Sequence, residues 1–233
     1  MNNIMSTANG LTAYSRNHFR KLIYLIVFVG YGSCNAGSYE DFFAAVRMDD
    51  SSTVSALLRR GFDGNTRDPN GLTGLHVASR EKSLNVASAL LGWGKINVEL
   101  RTSTDESPLM FAALNGLLDL SKVLIAKGAD VNKTGWTPLH YAATRGHLAV
   151  MTLLLDNHAY IDASSPNNTT PLMMAAFYGT PSAVKLLLEA GADPLIKNDQ
   201  GLSAIDFAHK NSRMDSAEII AAFVRAKQPK GKW

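Results

Sequence analysis

One alanine recurs along this chain at a nearly constant interval. The segments FFAAVRMDD, LHVASREKS, LMFAALNGL, LHYAATRGH, LMMAAFYGT and IDFAHKNSR align on Ala45, Ala78, Ala112, Ala142, Ala175 and Ala208, spaced 33, 34, 30, 33 and 33 residues apart. A unit of that length cannot bury its own apolar face, so such a period implies units stacked on one another around a continuous core. Each unit carries a second apolar cluster, around Val54, Val86, Val123, Val150, Val184 and Ile219. Within both clusters apolar residues recur at i, i+3 and i+4, which predicts two short amphipathic helices per unit. Gly61, Gly94, Gly128 and Gly191 follow the second cluster, where a residue without a β-carbon ends a helix in the left-handed conformation at least strain.

The fourth unit carries the fullest signature: Thr137-Pro138-Leu139-His140, Ala142-Ala143, Gly146-His147-Leu148 and Leu153-Leu154-Leu155, with Gly128-Ala129-Asp130-Val131-Asn132 and Gly191-Ala192-Asp193 as hairpin entries. This pattern resembles the ankyrin-repeat family over residues 39–225. The resemblance implies an all-α solenoid of about six helix-turn-helix units joined by short hairpin fingers. The units are expected at 39–71, 72–104, 105–134, 135–167, 168–200 and 201–226, within a repeat domain of residues 37–226. The motif has a physical reading as a folding device. Threonine caps the first helix, proline occupies the first helical position where no donor is needed, and alanine lets paired helices approach.

The departures carry information too. Gly74 replaces proline in the second unit, and Asp105 replaces the usual glycine before Ser107-Pro108. The first and last units are degenerate, as terminal repeats with one wet face should be. The 30-residue interval leaves Asn132-Lys133-Thr134-Gly135 about three residues short of a finger tip, so the finger between the third and fourth units should be stubby. The extra residue of the 34-residue interval is expected near Lys95–Val98.

Residues 1–36 read as a signal peptide. A polar n-region, 1–21, ends in Arg16, His18, Arg20 and Lys21, and the apolar h-region is Leu22 to Val29. Eight residues at ~1.5 Å each fall far short of the ~30 Å core of a bilayer. Cleavage is expected after Ala36 in Cys34-Asn35-Ala36; lipid on Cys34 and an uncleaved anchor are the alternatives. The implied location is periplasmic or secreted, or else membrane-anchored through the N-terminus. All 20 acidic residues lie from Glu40 onward, together with 20 basic ones, so the net charge of +3 belongs to the leader. Residues 227–233, with Lys227, Lys230 and Lys232, form a basic tail.

A neutral repeat region without a basic stripe argues against nucleic acid. Cys34 is the lone cysteine, and no HExxH, GxSxG or GxxxxGK[ST] is present, so no catalytic residue, metal site, cofactor or small-molecule substrate is expected. His76 and His140 hold the fourth motif position, where the resemblance implies an imidazole tying neighbouring loops, and His147 a similar place at the Gly-His junction. The implied function is a non-catalytic, monomeric module that presents a concave surface to another protein. An accessory or chaperone-like stabiliser of one exported enzyme and a secreted effector in a host cell are the other readings. Matched to the motif, the family's recognition positions fall on Leu72, Arg80, Glu81, Glu106, Leu114, Asn115, Trp136, Thr144, Arg145, Thr169, Phe177 and Tyr178. Trp136, Phe177 and Tyr178 stand out as aromatics at nominally exposed positions. They either meet the partner or fill the space the short finger leaves.

Overall fold

The computed structural model describes residues 37–227. The leader with Leu22 to Val29, Cys34 and the cleavage position after Ala36, and the tail beyond Lys227, lie outside these residues. Contacts divide the chain into a compact unit up to Ala44 and a second from Ala45. In the first, residues 37–44 are helical, and the Phe43 ring meets those of Tyr39 and Phe42, each at 5.1 Å.

The helix we label α1 covers residues 37–47, the last three of them in the second unit. That unit goes on with α2, Ser51–Arg59, and then with helical hairpins: α3 (Gly74–Glu81) with α4 (Leu84–Gly92), α5 (Pro108–Leu114) with α6 (Leu118–Ala126), α7 (Pro138–Arg145) with α8 (Leu148–Asp156), and α9 (Pro171–Phe177) with α10 (Pro181–Glu189). The last is α11 (Ala204–Lys210) with α12 (Met214–Lys227). First helices stack on first helices in the order α3, α5, α7, α9, α11, and each rests on its own second helix. Among the described residues no helix is long and apolar enough to cross a membrane.

The aligned alanines explain the spacing. Ala78, Ala112, Ala142, Ala175 and Ala208 are all fully buried, and Ala45 nearly so. A larger side chain there would hold the rows apart, and close packing forfeits stability quickly when helices separate. Gly179 is the tightest approach of all. A β-carbon on it would fall inside contact distance of the Ala143 carbonyl oxygen and 2.8 Å from that of Ala175. The leucines of the second helices fill the space between rows, with Leu90, Leu124, Leu154 and Leu187 fully buried.

Helix ends follow the motif. Thr170 caps α9 by accepting from the Met173 N–H at 3.4 Å, and proline opens α5, α7, α9 and α10. Gly61, Gly128 and Gly191 have φ of 93°, 90° and 105°, as C′ residues should. Gly94 does not share this role. Helix α4 ends in a turn in which the Ile96 N–H donates to the Trp93 carbonyl at 3.1 Å, and the Trp93 ring stands against Gly64. A ring packed on the preceding unit, rather than a left-handed glycine, terminates this helix.

Four fingers close identically. The N–H groups of Asp68, Thr102, Ser165 and Asn198 donate to the carbonyls of Leu72, Glu106, Thr169 and Leu202, at 2.7 to 3.0 Å. The finger before α7 has no such pair among the described residues and is stubby, as its missing residues require. Lys133 spans the gap instead, bonding the Thr134 carbonyl at 3.0 Å and pairing with Asp105 at the preceding tip.

A second series of bonds runs along the finger bases. Asn65, Glu99, Asn132 and Asp162 each accept from the backbone N–H one unit on, that of Asn97, Asp130, Tyr160 and Asp193, at 2.9, 2.7, 2.8 and 3.1 Å. Asp63, Asn97, Asp130 and Asp193 hold their own loops by accepting from the N–H two residues on. The recurrent aspartates of the hairpin entries are therefore committed to turns.

Candidate functional site

The site grows from the row of first helices, whose exposed side carries one position per turn from each unit. Counting from the shared alanine, the preceding residue is Val77, Phe111, Tyr141, Met174 and Phe207, and the second residue after it is Arg80, Leu114, Thr144, Phe177 and Lys210. Val77 and Phe111 are buried, whereas Tyr141, Met174 and Phe207 are half-buried. An apolar stripe thus opens toward the later units. Along it lies a cleft of about 240 Å³ lined by Leu114, Trp136, His140, Tyr141, Thr144 and Met174.

The motif-matched residues fall into three groups. Leu114, Trp136 and Thr144 come together in this cleft. Trp136 sits edge-on to His140 with ring centres 5.2 Å apart, and the Thr144 hydroxyl donates to the His140 carbonyl at 2.7 Å. Farther along, Phe177 meets Tyr178 at 4.4 Å and Phe207 of the next unit at 5.9 Å. Tyr178 is 55% exposed, and Arg145 is exposed beside Thr144.

The remaining residues are held by the scaffold. Arg80 and Glu81 are exposed but pair with each other at 3.0 Å. The Asn115 amide donates to the carbonyls of Ser79 at 3.1 Å and Arg80 at 3.2 Å, so it ties α5 to the unit before. Leu72 and Thr169 are corrections to the motif match. Both are buried, so neither side chain is presented to a partner. Glu106 is half-buried. Its Oε1 accepts from the Tyr141 hydroxyl at 2.7 Å and its Oε2 from the Thr104 hydroxyl at 2.8 Å.

The histidines behave as the motif implies. His76 Nε2 lies 3.1 Å from the Glu106 carbonyl and His140 Nε2 2.9 Å from that of Thr169, while each Nδ1 accepts from the N–H of Thr73 or Thr137. That geometry fits the neutral tautomer with the proton on Nε2. Burial disfavours the imidazolium and brings both pKa values down to about 4. His147 Nε2 bonds the Leu114 carbonyl at 3.0 Å. The Tyr141 phenol titrates above its ordinary value, through burial and then the Glu106 carboxylate. Among the described residues no group of three His, Cys, Asp or Glu side chains is arranged to hold a metal ion.

Sequence reasoning missed Tyr141, Met174 and Phe207, the residues that make the stripe apolar. Their signal was present in the residue before each aligned alanine, which is large and apolar or aromatic from Phe111 onward.

Stacked helical hairpins, joined by fingers and exposing an aromatic face along one row, define a repeat solenoid that binds through a surface. The chain belongs to the ankyrin-repeat family. The description "Ankyrin repeats (3 copies)" matches residues 42–134 and 96–165, and "Ankyrin repeats (many copies)" matches 159–208. It is 30% identical to a chain in the complex of the predatory endopeptidase Bd0816 from Bdellovibrio bacteriovorus with immunity protein Bd3460, covering 78% of this chain and 97% of that one with a TM-score of 0.68. The putative ankyrin repeat protein YahD of Escherichia coli K12 is 27% identical over 192 residues, 78% of this chain and 94% of that protein. The Caenorhabditis elegans ankyrin repeat and KH domain-containing protein mask-1 is 33% identical over 158 residues, 66% of this chain. The chain spans only 6 to 17% of the length of mask-1 and of the NF-kappa-B p105 subunits that it also matches. Ankyrin arrays are protein–protein interaction modules, and such proteins are generally non-catalytic.

Proposed function

We propose that this chain holds one protein partner, without catalysis, on the first-helix face between α5 and α11, in an extracytoplasmic compartment reached through the N-terminal leader. The observation that carries the reading is the stripe of Leu114, Trp136, Tyr141, Met174, Phe177 and Phe207, left half-buried along the row of first helices. A rigid preformed surface loses little conformational entropy on binding, and half-buried aromatics are the residue types on which binding energy concentrates.

The test compares capture by wild type and by Trp136→Ala/Phe177→Ala from fractionated native cells, with N-terminal sequencing of the bait to report compartment and cleavage. Loss of a stoichiometric partner with unchanged helical circular dichroism supports the face. Retention of that partner by the variant refutes it, and recovery of the bait with an intact leader in the cytosol refutes the compartment.

A second reading draws on the similarity to a chain of an endopeptidase–immunity protein complex. In it the partner is one exported enzyme, restrained or stabilised by this chain. It requires a co-purifying hydrolase whose activity changes when the complex is dissociated.

A further inference from the structure

We infer that the cleft between α5, α7 and α9 receives an arginine side chain of the protein partner, with Glu106 as its counter-charge. The inference rests on the face assigned above and specifies the chemistry recognised there. The carboxylates near the short finger are almost all paired with cations: Arg101 lies 2.7 Å from Glu99, 3.9 Å from Asp105 and 3.8 Å from Asp130, and Lys133 takes the other oxygen of Asp105. Glu106 differs. It belongs to none of the ion pairs among the described residues, and its carboxylate is held by hydroxyls: that of Tyr141 on Oε1, and those of Thr104 and, at 3.4 Å, Thr102 on Oε2. A carboxylate offers about four acceptor positions, so Oε1 keeps one open to a charge-assisted bond from a guanidinium N–H.

Glu106 does not itself line the cleft, but Tyr141 does, and the Tyr141 hydroxyl bonds Glu106 at 2.7 Å. Trp136 supplies a second aromatic wall, and a cation against indole and phenol rings is favoured by their quadrupoles, for guanidinium above ammonium. Leu114 and Met174 offer apolar surface to a methylene stem. At about 240 Å³ the cleft admits one side chain and no folded element. The cations nearby do not neutralise Glu106: Lys133 is taken by Asp105, Arg80 by Glu81, and His140 is hydrogen-bonded through both ring nitrogens as the neutral form. Arg145, next to Thr144 in the chain, is exposed, so water screens it.

The probe is N-acetyl-arginine amide, with the neutral isostere N-acetyl-citrulline amide as control, titrated into the ¹⁵N-labelled full chain. The readout is the indole N–H resonance of Trp136, assigned by its absence in Trp136→Phe. The expected result is a saturable shift with the arginine amide, weaker by about tenfold or more with citrulline, since a charge-assisted bond is replaced by a neutral one. Glu106→Gln, which keeps an oxygen for Tyr141, should reduce the arginine response to the citrulline level. Equal responses to the two amides, no response to either, or an unaltered arginine response in Glu106→Gln overturns the inference; the first comparison uses wild type alone and does not depend on how the variant folds. If Trp136→Ala/Phe177→Ala releases the partner while Glu106→Gln retains it with full affinity, the binding face stands and the arginine assignment falls. If the double variant keeps its partner, the face itself falls, whatever the amides show.

Discussion

His76 and His140 make the stability of this array depend on pH in a direction the geometry dictates. Each ring is buried, accepts a backbone N–H at Nδ1 and faces a carbonyl of the next finger at Nε2. Protonating Nδ1 in place would set a proton against the Thr73 or Thr137 N–H and leave a charge in the core. The folded pKa is therefore about 4 for both, below the ~6.5 of an unfolded histidine. Between these values the unfolded chain binds more protons than the folded one, so stability is present above pH ~6.5 and is lost as the pH falls toward 4. A difference of about 2.5 between the two pKa values, at 1.36 kcal/mol per unit, is about 3–4 kcal/mol for each histidine, or about 7 kcal/mol for the pair. That is comparable with the whole ~5–15 kcal/mol of a typical fold. The chain supplies its own control, because units three and five carry methionine at the same place, with the Met110 sulfur 3.3 Å from the Ser107 N–H and that of Met173 3.5 Å from the Thr170 N–H. Urea unfolding of wild type and His76→Met/His140→Met, followed by circular dichroism from pH 7.5 to 4.5, should give a difference that moves in the variant's favour by several kcal/mol as pH falls. Subtraction removes the other titrating groups and any fixed cost of the substitution. A difference constant to within about 1 kcal/mol over that range would show that the buried imidazoles are not what couples stability to pH.

Three further outcomes follow from packing and bonding. Gly179→Ala drives a methyl into the Ala143 carbonyl and should cost about 2 kcal/mol or more, read as a lowered thermal midpoint; an unchanged midpoint would mean that α7 and α9 are not in close contact. Leu154→Ala removes a fully buried side chain from α8 and should cost about 2–5 kcal/mol in urea. Asn132→Ala frees the Tyr160 N–H and the His158 carbonyl together; a loss of about 1–3 kcal/mol, with faster amide exchange centred on Tyr160, is expected, and slow exchange there would show that the finger-base bond is dispensable.

The array was legible in the sequence because its cause is local and repeated. An alanine every 30 to 34 residues marks where two helix rows touch, and those alanines are the buried ones. The threonine, proline and histidine beside it work on backbone groups within a few residues, so their roles follow from the motif. The stubby finger was legible too, since a tip three residues short cannot close its hydrogen bond. What the sequence could not reveal was which residues near each finger turn inward. Leu72 and Trp136 precede a threonine in the same motif place, yet Leu72 is buried and Trp136 lines a cleft, and Glu106, which follows a closed finger as Leu72 does, is only half-buried. Gly94 looked like Gly61 until the Trp93 ring, packed against a glycine some thirty residues away, ended the helix first. The pairing of Tyr141 with Glu106 likewise joins residues 35 positions apart. Sequence by itself determined the period, the core and the helix ends other than that of α4, which depend on contacts that the units repeat. Tertiary structure alone decided the face, because a surface position takes its exposure from what the neighbouring units happen to place beside it.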